Sequence, residues 1–123
     1  MRDRYLVQGG VYYCSDIADT IGVEQRWNRP CIILSTKMLN ANRDSVLVVP
    51  ITSRDKKLML THYELTKTKY PFLAYESNIV LLENISDMSK WRLGRKFGKL
   101  SKEDLDNISE QTKYLFKDFY IGD

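Results

Sequence analysis

Two stretches decide the fold: Pro30-Cys-Ile-Ile-Leu-Ser-Thr36 and, beyond the polar connection Lys37 to Asp44, Ser45-Val-Leu-Val-Val-Pro-Ile-Thr52. Each is a short apolar run with polar residues at its borders, and the second is strongly β-branched. That pattern belongs to buried strands. The connection, with its two asparagines, reads as a turn, so the pair reads as an antiparallel hairpin. Paired positions in such a ladder have a constant index sum. A turn midway through the connection makes that sum roughly 81 to 82. Position 29 then lies opposite position 52 or 53, and directly opposed Cβ atoms sit only about 5 Å apart. Arg29, Thr52 and Ser53 are therefore expected at one end of the sheet, where a loop bearing Glu24, Gln25, Arg26 and Trp27 opens.

Outward from the hairpin the chain continues as short β runs and one closing helix. Gly10 to Asp16, with Val11, Tyr12, Tyr13 and Cys14, reads as a first strand. Asp19 to Arg29 is a polar loop with Gly22 as its flexible point. Arg54-Asp-Lys-Lys57 interrupts the pattern after the hairpin. Leu60 to Leu65, Asn78 to Ile85 and Gly94 to Leu100 can each add a strand, and Met88 to Leu93 suits a helical turn. At the C-terminus the period changes. Ser101 looks like an N-cap with Asp104 three residues on. Leu105, Ile108, Thr112, Leu115, Phe116 and Phe119 then form one mostly apolar helical stripe. The expected class is mainly β with helices (α+β): a small twisted barrel, its open side covered by the C-terminal helix. No repeat or linker-like stretch interrupts residues 1–123, which read as one domain.

Composition narrows the function. The chain has 123 residues, 43% hydrophobic and 11% aromatic, which suits a folded core. No apolar run approaches the roughly 20 residues of a membrane helix, and the charged start is not followed by a signal-like stretch. A cytoplasmic protein is expected. Cys14 and Cys31 sit in apolar contexts without a Cys-x-x-Cys pair, and there is a single histidine. Two buried free thiols are expected, with no metal site and no cofactor. The net charge is +3, and its excess lies in residues 1–60, with nine Lys/Arg against six Asp/Glu. A second run, Lys90, Arg92, Arg95, Lys96 and Lys99, contains no acid. Basic clusters of this kind suit a polyanion if the fold gathers them on one face.

A guanidinium beside hydroxyls suits a phosphodiester. Arginine holds two phosphate oxygens in a planar fork and offsets charge that grows in the transition state. A threonine hydroxyl adds a hydrogen bond to a non-bridging oxygen, and Trp27 with Tyr12 or Tyr13 can stack on unpaired bases. Each residue also has a structural reading: an arginine before a proline as a surface ion-pair partner, a strand-end threonine for β propensity, a loop tryptophan as a packing anchor. Residue types alone leave both readings open.

The order of motifs goes further. Gly22-Val-Glu-Gln-Arg-Trp-Asn-Arg-Pro-Cys-Ile-Ile-Leu-Ser35 resembles the MazF/PemK pattern of Glu-Gln, variable residues, Arg-Pro and an apolar strand. Val48-Val-Pro-Ile-Thr-Ser53 resembles that family's Pro-Ile-Thr-Ser strand end, and Thr61-His-Tyr-Glu-Leu65 its Thr-His-Val-Glu-Leu segment. Ser77 to Leu82, then Glu83, Ile85, Ser89-Lys90 and Arg92-Leu93, follow in the same order, and Gly9-Gly10-Val-Tyr12 opens the domain. The resemblance implies a small SH3-like, CcdB-like barrel that forms a homodimer. It implies a toxin that cleaves single-stranded RNA at short sequences without a metal, inhibited by a cognate antitoxin protein. It carries the essential residues onto Arg29 and Thr52. Glu24, Gln25, Arg26, Trp27, Ser53, Arg54, Lys56 and Lys57 are the residues expected to contact RNA.

In the implied mechanism a 2′-hydroxyl attacks the adjacent phosphorus, leaving a cyclic phosphate and a 5′-hydroxyl. A guanidinium with a pKa above about 12 is a poor base at neutral pH, so Arg29 reads as a charge stabiliser. His62, the tempting alternative base, falls in an expected strand and reads as structural. Two positions depart from the family: Gly10 stands where an aspartate is usual, and Asn84-Ile85-Ser86 where Gln-Ile-Arg is. Three other readings compete: a same-fold toxin that binds a protein such as gyrase, a non-catalytic RNA-binding barrel, and an SH3-like interaction module.

Overall fold

The computed structural model describes residues 6–15, 29–53 and 58–117. Its strands are β1 (Gly10–Cys14), β2 (Arg29–Ile33), β3 (Ser45–Ser53), β4 (His62–Thr66), β5 (Ser77–Leu81), β6 (Ser86–Ser89) and β7 (Leu93–Lys99). Helix α1 spans Lys37–Asn42 and α2 spans Lys102–Gln111. All seven strands belong to one antiparallel sheet in the order β4-β5-β3-β2-β1-β7, with β6 paired to β3 off that path.

β3 is the spine. One of its edges pairs with β2. The other pairs with β6 from Ser45 to Val48 and with β5 from Ile51 to Ser53. Pro50 lies at the changeover between those two partners, where a missing N–H costs the ladder least.

Both faces of the sheet are covered, and the period-two alternation of the strands sorts their residues. One face carries Val11, Ile32, Val49, Ile51, Leu65 and Val80, packed with Leu100 and Ile108 of the C-terminal segment. The other carries Leu6, Tyr12, Cys14, Cys31, Ile33, Val46, Val48 and Met88.

The α+β class holds, but the expected barrel does not close. β4 and β7 are the two ends of the sheet and do not pair with each other among the described residues. An aromatic pair packs against β7 instead. Phe72, just past β4, stacks on Phe97 of β7 with ring centroids 6.3 Å apart. A Cβ built on Gly98 would lie 2.6 Å from the Phe72 ring, so only glycine lets that ring approach. Phe97 is itself the extra residue of a bulge, because Val11 pairs with Gly98 and Tyr12 with Lys96.

Two further expectations are corrected. Lys37 to Asp44 is not a simple turn but holds α1, capped by the Thr36 hydroxyl, which accepts from the Leu39 amide at 3.4 Å. Its buried Asn40 donates to the carbonyls of Leu6 (3.0 Å) and Ser35 (3.2 Å), contacts that a local reading cannot supply. Met88 and Ser89, expected to begin a helical turn, belong instead to strand β6. Ser86-Asp-Met-Ser89 offers one buried apolar side chain, Met88, too few to announce a strand. The short helical turn comes after it, at Lys90–Arg92.

The C-terminal helix forms where the cap signal lies, with the Ser101 hydroxyl accepting from the Asp104 amide at 3.1 Å. Its stripe ends earlier than expected. At Thr112 the helix tightens to a 3₁₀ turn, and Phe116 is left 86% exposed. Phe119 lies outside the described residues.

The cysteines also differ from the free thiols expected. Tyr12 pairs with Cys31 and Cys14 with Arg29, so the two cysteines are diagonal neighbours on one face. They are joined as a disulfide with Cα atoms 6.1 Å apart, inside the range of about 4.4–6.8 Å that such bonds take. The bond ties two positions separated by 17 in sequence, and a loop of that length stabilises by about 3 kcal/mol. Denaturant unfolding with and without a dithiol reductant is expected to differ by about that amount; coincident curves would mean the bond contributes nothing.

Candidate active site

The β2–β3 register bears on the choice between positions 52 and 53. Cys31 pairs with Pro50, Ile32 with Val49 and Ile33 with Val48, an index sum of 81. The paired positions end at Cys31 and Pro50; continued two residues outward, the same sum would set Arg29 across from Thr52. Arg29 is half-buried at the start of β2 and is itself paired with Cys14. Thr52 is half-buried and paired with Ile79 of β5.

Alternation assigns the faces. Arg29 is in phase with Cys31 and Ile33, and Thr52 with Val46 and Val48, so both belong to the disulfide face, away from α2. Ser53 is one residue out of phase. It pairs with Asn78, falls in phase with Ile51 and Val49, and lies on the helix-covered face. Thr52 and Ser53 therefore share an end of the sheet but not a face. Glu24, Gln25, Arg26, Trp27, Arg54, Lys56 and Lys57 lie outside the described residues.

The fold adds two features that residue order did not show. Lys96 pairs with Tyr12 and Lys99 with Gly10, which puts both lysines on the Arg29 face; the Lys96 ammonium lies 6.0 Å from the centre of the Tyr12 ring. The bulge at Phe97 shifts the phase of β7, so counting alternate residues cannot assign these lysines to a face. Glu64 pairs with Ile79, which pairs with Thr52, so an acid lies in the same cross-strand row. It accepts a hydrogen bond from Ser77.

The aromatic candidates separate. Tyr12 is buried among the apolar residues of its face, whereas Tyr13 is 39% exposed. The Tyr12 ring also accounts for Gly10. A Cβ at Gly10 would lie 3.0 Å from Tyr12 Cε1 and 3.3 Å from the Val7 carbonyl oxygen, so the ring fills the space an aspartate would need. Ser86, at the second departure, pairs with Val48 and donates to the Asn84 carbonyl at 3.1 Å.

His62 opens β4 and takes part in a different cluster, as its strand position suggests. Its Nε2 lies 3.0 Å from Glu83 Oε2, and its Nδ1 accepts from the Met59 amide at 3.1 Å. Burial would raise the Glu83 carboxyl, but hydrogen bonds from His62, its own backbone amide and Thr61 outweigh that and hold it below the ordinary carboxylate range. Among the described residues no group of three or more His, Cys, Asp or Glu is gathered as a metal site would require.

An open antiparallel sheet with one helix across one face, and with Arg29 and Thr52 half-buried at strand ends on the other face, describes a small α+β protein. Comparison with known proteins gives the family. Residues 7–116 match the model of the PemK-like, MazF-like toxins of type II toxin–antitoxin systems, and the chain belongs to that family. It is 30% identical over 106 residues to Endoribonuclease EndoA of Bacillus subtilis (strain 168), covering 85% of this chain and 90% of that protein. Its fold matches the crystal structure of MazE-MazF (Form-II) from Deinococcus radiodurans with a TM-score of 0.70 at 19% identity, over 92% of this chain and 96% of that one. It also matches an endoribonuclease in complex with its cognate antitoxin from Mycobacterial species, with a TM-score of 0.66 at 19% identity, over 89% and 92% of the two chains.

Proposed function

We propose that this toxin is an endoribonuclease that cleaves single-stranded RNA by attack of a 2′-hydroxyl on the adjacent phosphorus. The bond to the 5′-oxygen of the next nucleotide breaks, leaving a 2′,3′-cyclic phosphate and a 5′-hydroxyl. Because the nucleophile belongs to the substrate, no metal-bound water is needed to supply it. The observation that supports the reading is the β2–β3 register, whose continuation beyond Cys31 and Pro50 would bring Arg29 opposite Thr52. The Arg29 guanidinium holds the non-bridging oxygens and offsets the charge that builds on the phosphorane. The Thr52 hydroxyl donates to one of those oxygens. Lys96 and Lys99 extend positive charge along the same face and favour a polyanion. Ser53, Arg54, Lys56, Lys57 and the loop residues Glu24, Gln25, Arg26 and Trp27 are assigned to RNA contact.

The protein acts as a homodimer and is held inactive by a cognate antitoxin, as the family's toxin–antitoxin pairing implies. No helix among the described residues is long and apolar enough to cross a membrane, and an RNA substrate places the activity in the cytoplasm. The Cys14–Cys31 disulfide is unusual for that compartment. Both cysteines are fully buried, which keeps reductants away from the bond.

The test is direct. Purified protein incubated with a broad panel of single-stranded RNAs in EDTA is expected to cut a subset of them, with every new 5′ end open to phosphorylation by a kinase without prior phosphatase treatment. RNA that binds but stays intact across the panel would replace this reading with that of a non-catalytic RNA-binding protein.

A further inference from the structure

Trp91 is 82% exposed, although a tryptophan ring is among the side chains that gain most from burial. A solitary exposed apolar residue needs no explanation, but this one stands on a turn that is fastened at both ends. It is the middle residue of the short helical turn Lys90–Arg92. The Ser89 hydroxyl accepts from the Trp91 amide at 3.2 Å. The Lys90 amide donates to the carbonyl of Asp44, next to the start of β3, at 3.0 Å. The Arg92 carbonyl accepts from the amide of Ser15, just past the end of β1, at 3.1 Å. The Leu93 amide closes the turn on the Lys90 carbonyl. A fixed backbone thus presents the indole to solvent.

The surroundings of the ring are cationic. Lys90 and Arg92 flank it, and from Lys90 to Leu100 the chain has five lysines and arginines and no acid. Arg95, Lys96 and Lys99 of that run are exposed. The turn also lies near the proposed reacting residues. Leu93 pairs with Cys14, which pairs on its other side with Arg29. Neighbouring strands are about 4.8 Å apart, and the two residues from Leu93 back to Trp91 span at most about 7 Å. The Trp91 and Arg29 backbones are therefore within roughly 17 Å of each other. That is the scale of a bound strand a few nucleotides long.

A rigid, exposed ring between two cations suits single-stranded RNA. Every unpaired base offers a face for stacking, and the cations meet the phosphates on either side. A second copy meeting this turn about a twofold axis would instead set Lys90 and Arg92 against like charges. We propose that Trp91 is a substrate-binding residue outside the reacting pair. Its indole stacks on an unpaired base a few nucleotides from the cleaved bond, with Lys90 and Arg92 beside the adjoining phosphates. The inference rests on the nuclease reading above. Stacking favours no particular base, so this contact adds affinity for longer strands without setting the sequence that is cut.

The test uses the full chain and an RNA that it cleaves, in a short form covering little more than the cut and a form extended at both ends. A 2′-deoxy nucleotide at the cut removes the attacking hydroxyl, so that binding is measured without cleavage. Trp91→Ala is expected to raise Kd for the extended form about tenfold and for the short form less than about twofold. Trp91→Phe, which keeps a ring face, is expected to recover most of that loss, and Trp91→Leu, apolar but without a ring, little of it. On the cleavable extended RNA, kcat is expected to stay within about twofold. An unchanged Kd for the extended form, or an equal rise for both lengths, overturns the inference. So does loss of self-association in Trp91→Ala, which would assign the ring to a contact between copies. Each of these leaves the nuclease reading intact, whereas failure of the unsubstituted protein to cleave any RNA overturns both.

Discussion

Alanine in place of Arg29 is expected to lower the rate of RNA cleavage by about a thousandfold or more, with the fold intact. The size follows from what is removed. The charge on the phosphorane oxygens is greatest in the transition state, so a cation that meets it there acts on kcat more than on KM. A planar fork also meets two oxygens at once, which a lysine ammonium cannot do. Arg29→Lys is therefore expected to recover only part of the loss. Stability should change little. Arg29 is the first residue of β2, half-buried and outside both apolar clusters, and changes at such positions usually stay near half a kcal/mol. Single-turnover rates on a cleaved RNA, beside thermal melts of both proteins, decide the matter. A folded Arg29→Ala protein that cuts within tenfold of the parent would remove Arg29 from the reaction and shift attention to Lys96 and Lys99.

The second large effect is on stability, at Asp104 near the start of α2. Tyr63 donates to its Oδ1 at 2.6 Å, Tyr70 donates to Oδ2, and Lys69 lies 3.0 Å from Oδ2. Tyr70 also accepts from the Ser101 amide at 2.9 Å, so this cluster fastens the helix N-terminus to β4 and to the turn that follows it. Asp104→Ala leaves the half-buried Tyr63 hydroxyl without its acceptor and the buried Tyr70 hydroxyl with only the longer bond to Ser101 Oγ at 3.2 Å. Unpaired groups of this kind cost about 1–3 kcal/mol each, giving a loss on the order of 3 kcal/mol, or about 10 °C in Tm for a chain of this size. A drop of under 2 °C would show that water satisfies the hydroxyls as well as the carboxylate does.

The same carboxylate links stability to pH. Burial alone would raise its pKa, but the hydrogen bonds from Tyr63, Tyr70 and Lys69 together outweigh burial and hold it below the ordinary carboxylate range. A folded-state pKa below the unfolded value gives a contribution that is complete above the unfolded value of about 3.9 and fades as pH falls through the folded one. The parent should thus lose part of its advantage over Asp104→Ala in acid. Tyr63 moves the other way: burial, then donation to Asp104, push its hydroxyl above the ordinary range.

The β2–β3 hairpin and its index sum of 81 were legible because two apolar strands and a short connection leave only one or two possible registers. The Ser101 cap was legible because it is local. What could not be read depends on contacts distant in sequence. Helix α1 rests on Asn40 reaching the Leu6 carbonyl, and β6 exists because Ser45 to Val48 offers it an edge. The separation of Ser53 from Thr52 follows from period-two alternation once the register is known, whereas the placing of Lys96 and Lys99 depends on a bulge that no spacing rule reveals. Closure of the barrel was not legible for a related reason: whether two edges meet depends on packing between residues distant in sequence, such as Phe72 on Phe97.

The open sheet bears on how the protein behaves when crowded. It leaves the outer backbone of β4 and β7 without strand partners among the described residues, and an unpaired strand edge is a template on which another chain can grow. β7 carries Arg95, Lys96 and Lys99 within seven residues, so two copies brought edge to edge would set like charges against each other. The cations that suit this face to a polyanion thereby also discourage the protein from polymerising with itself. Neutralising them for the sake of one role would expose the other.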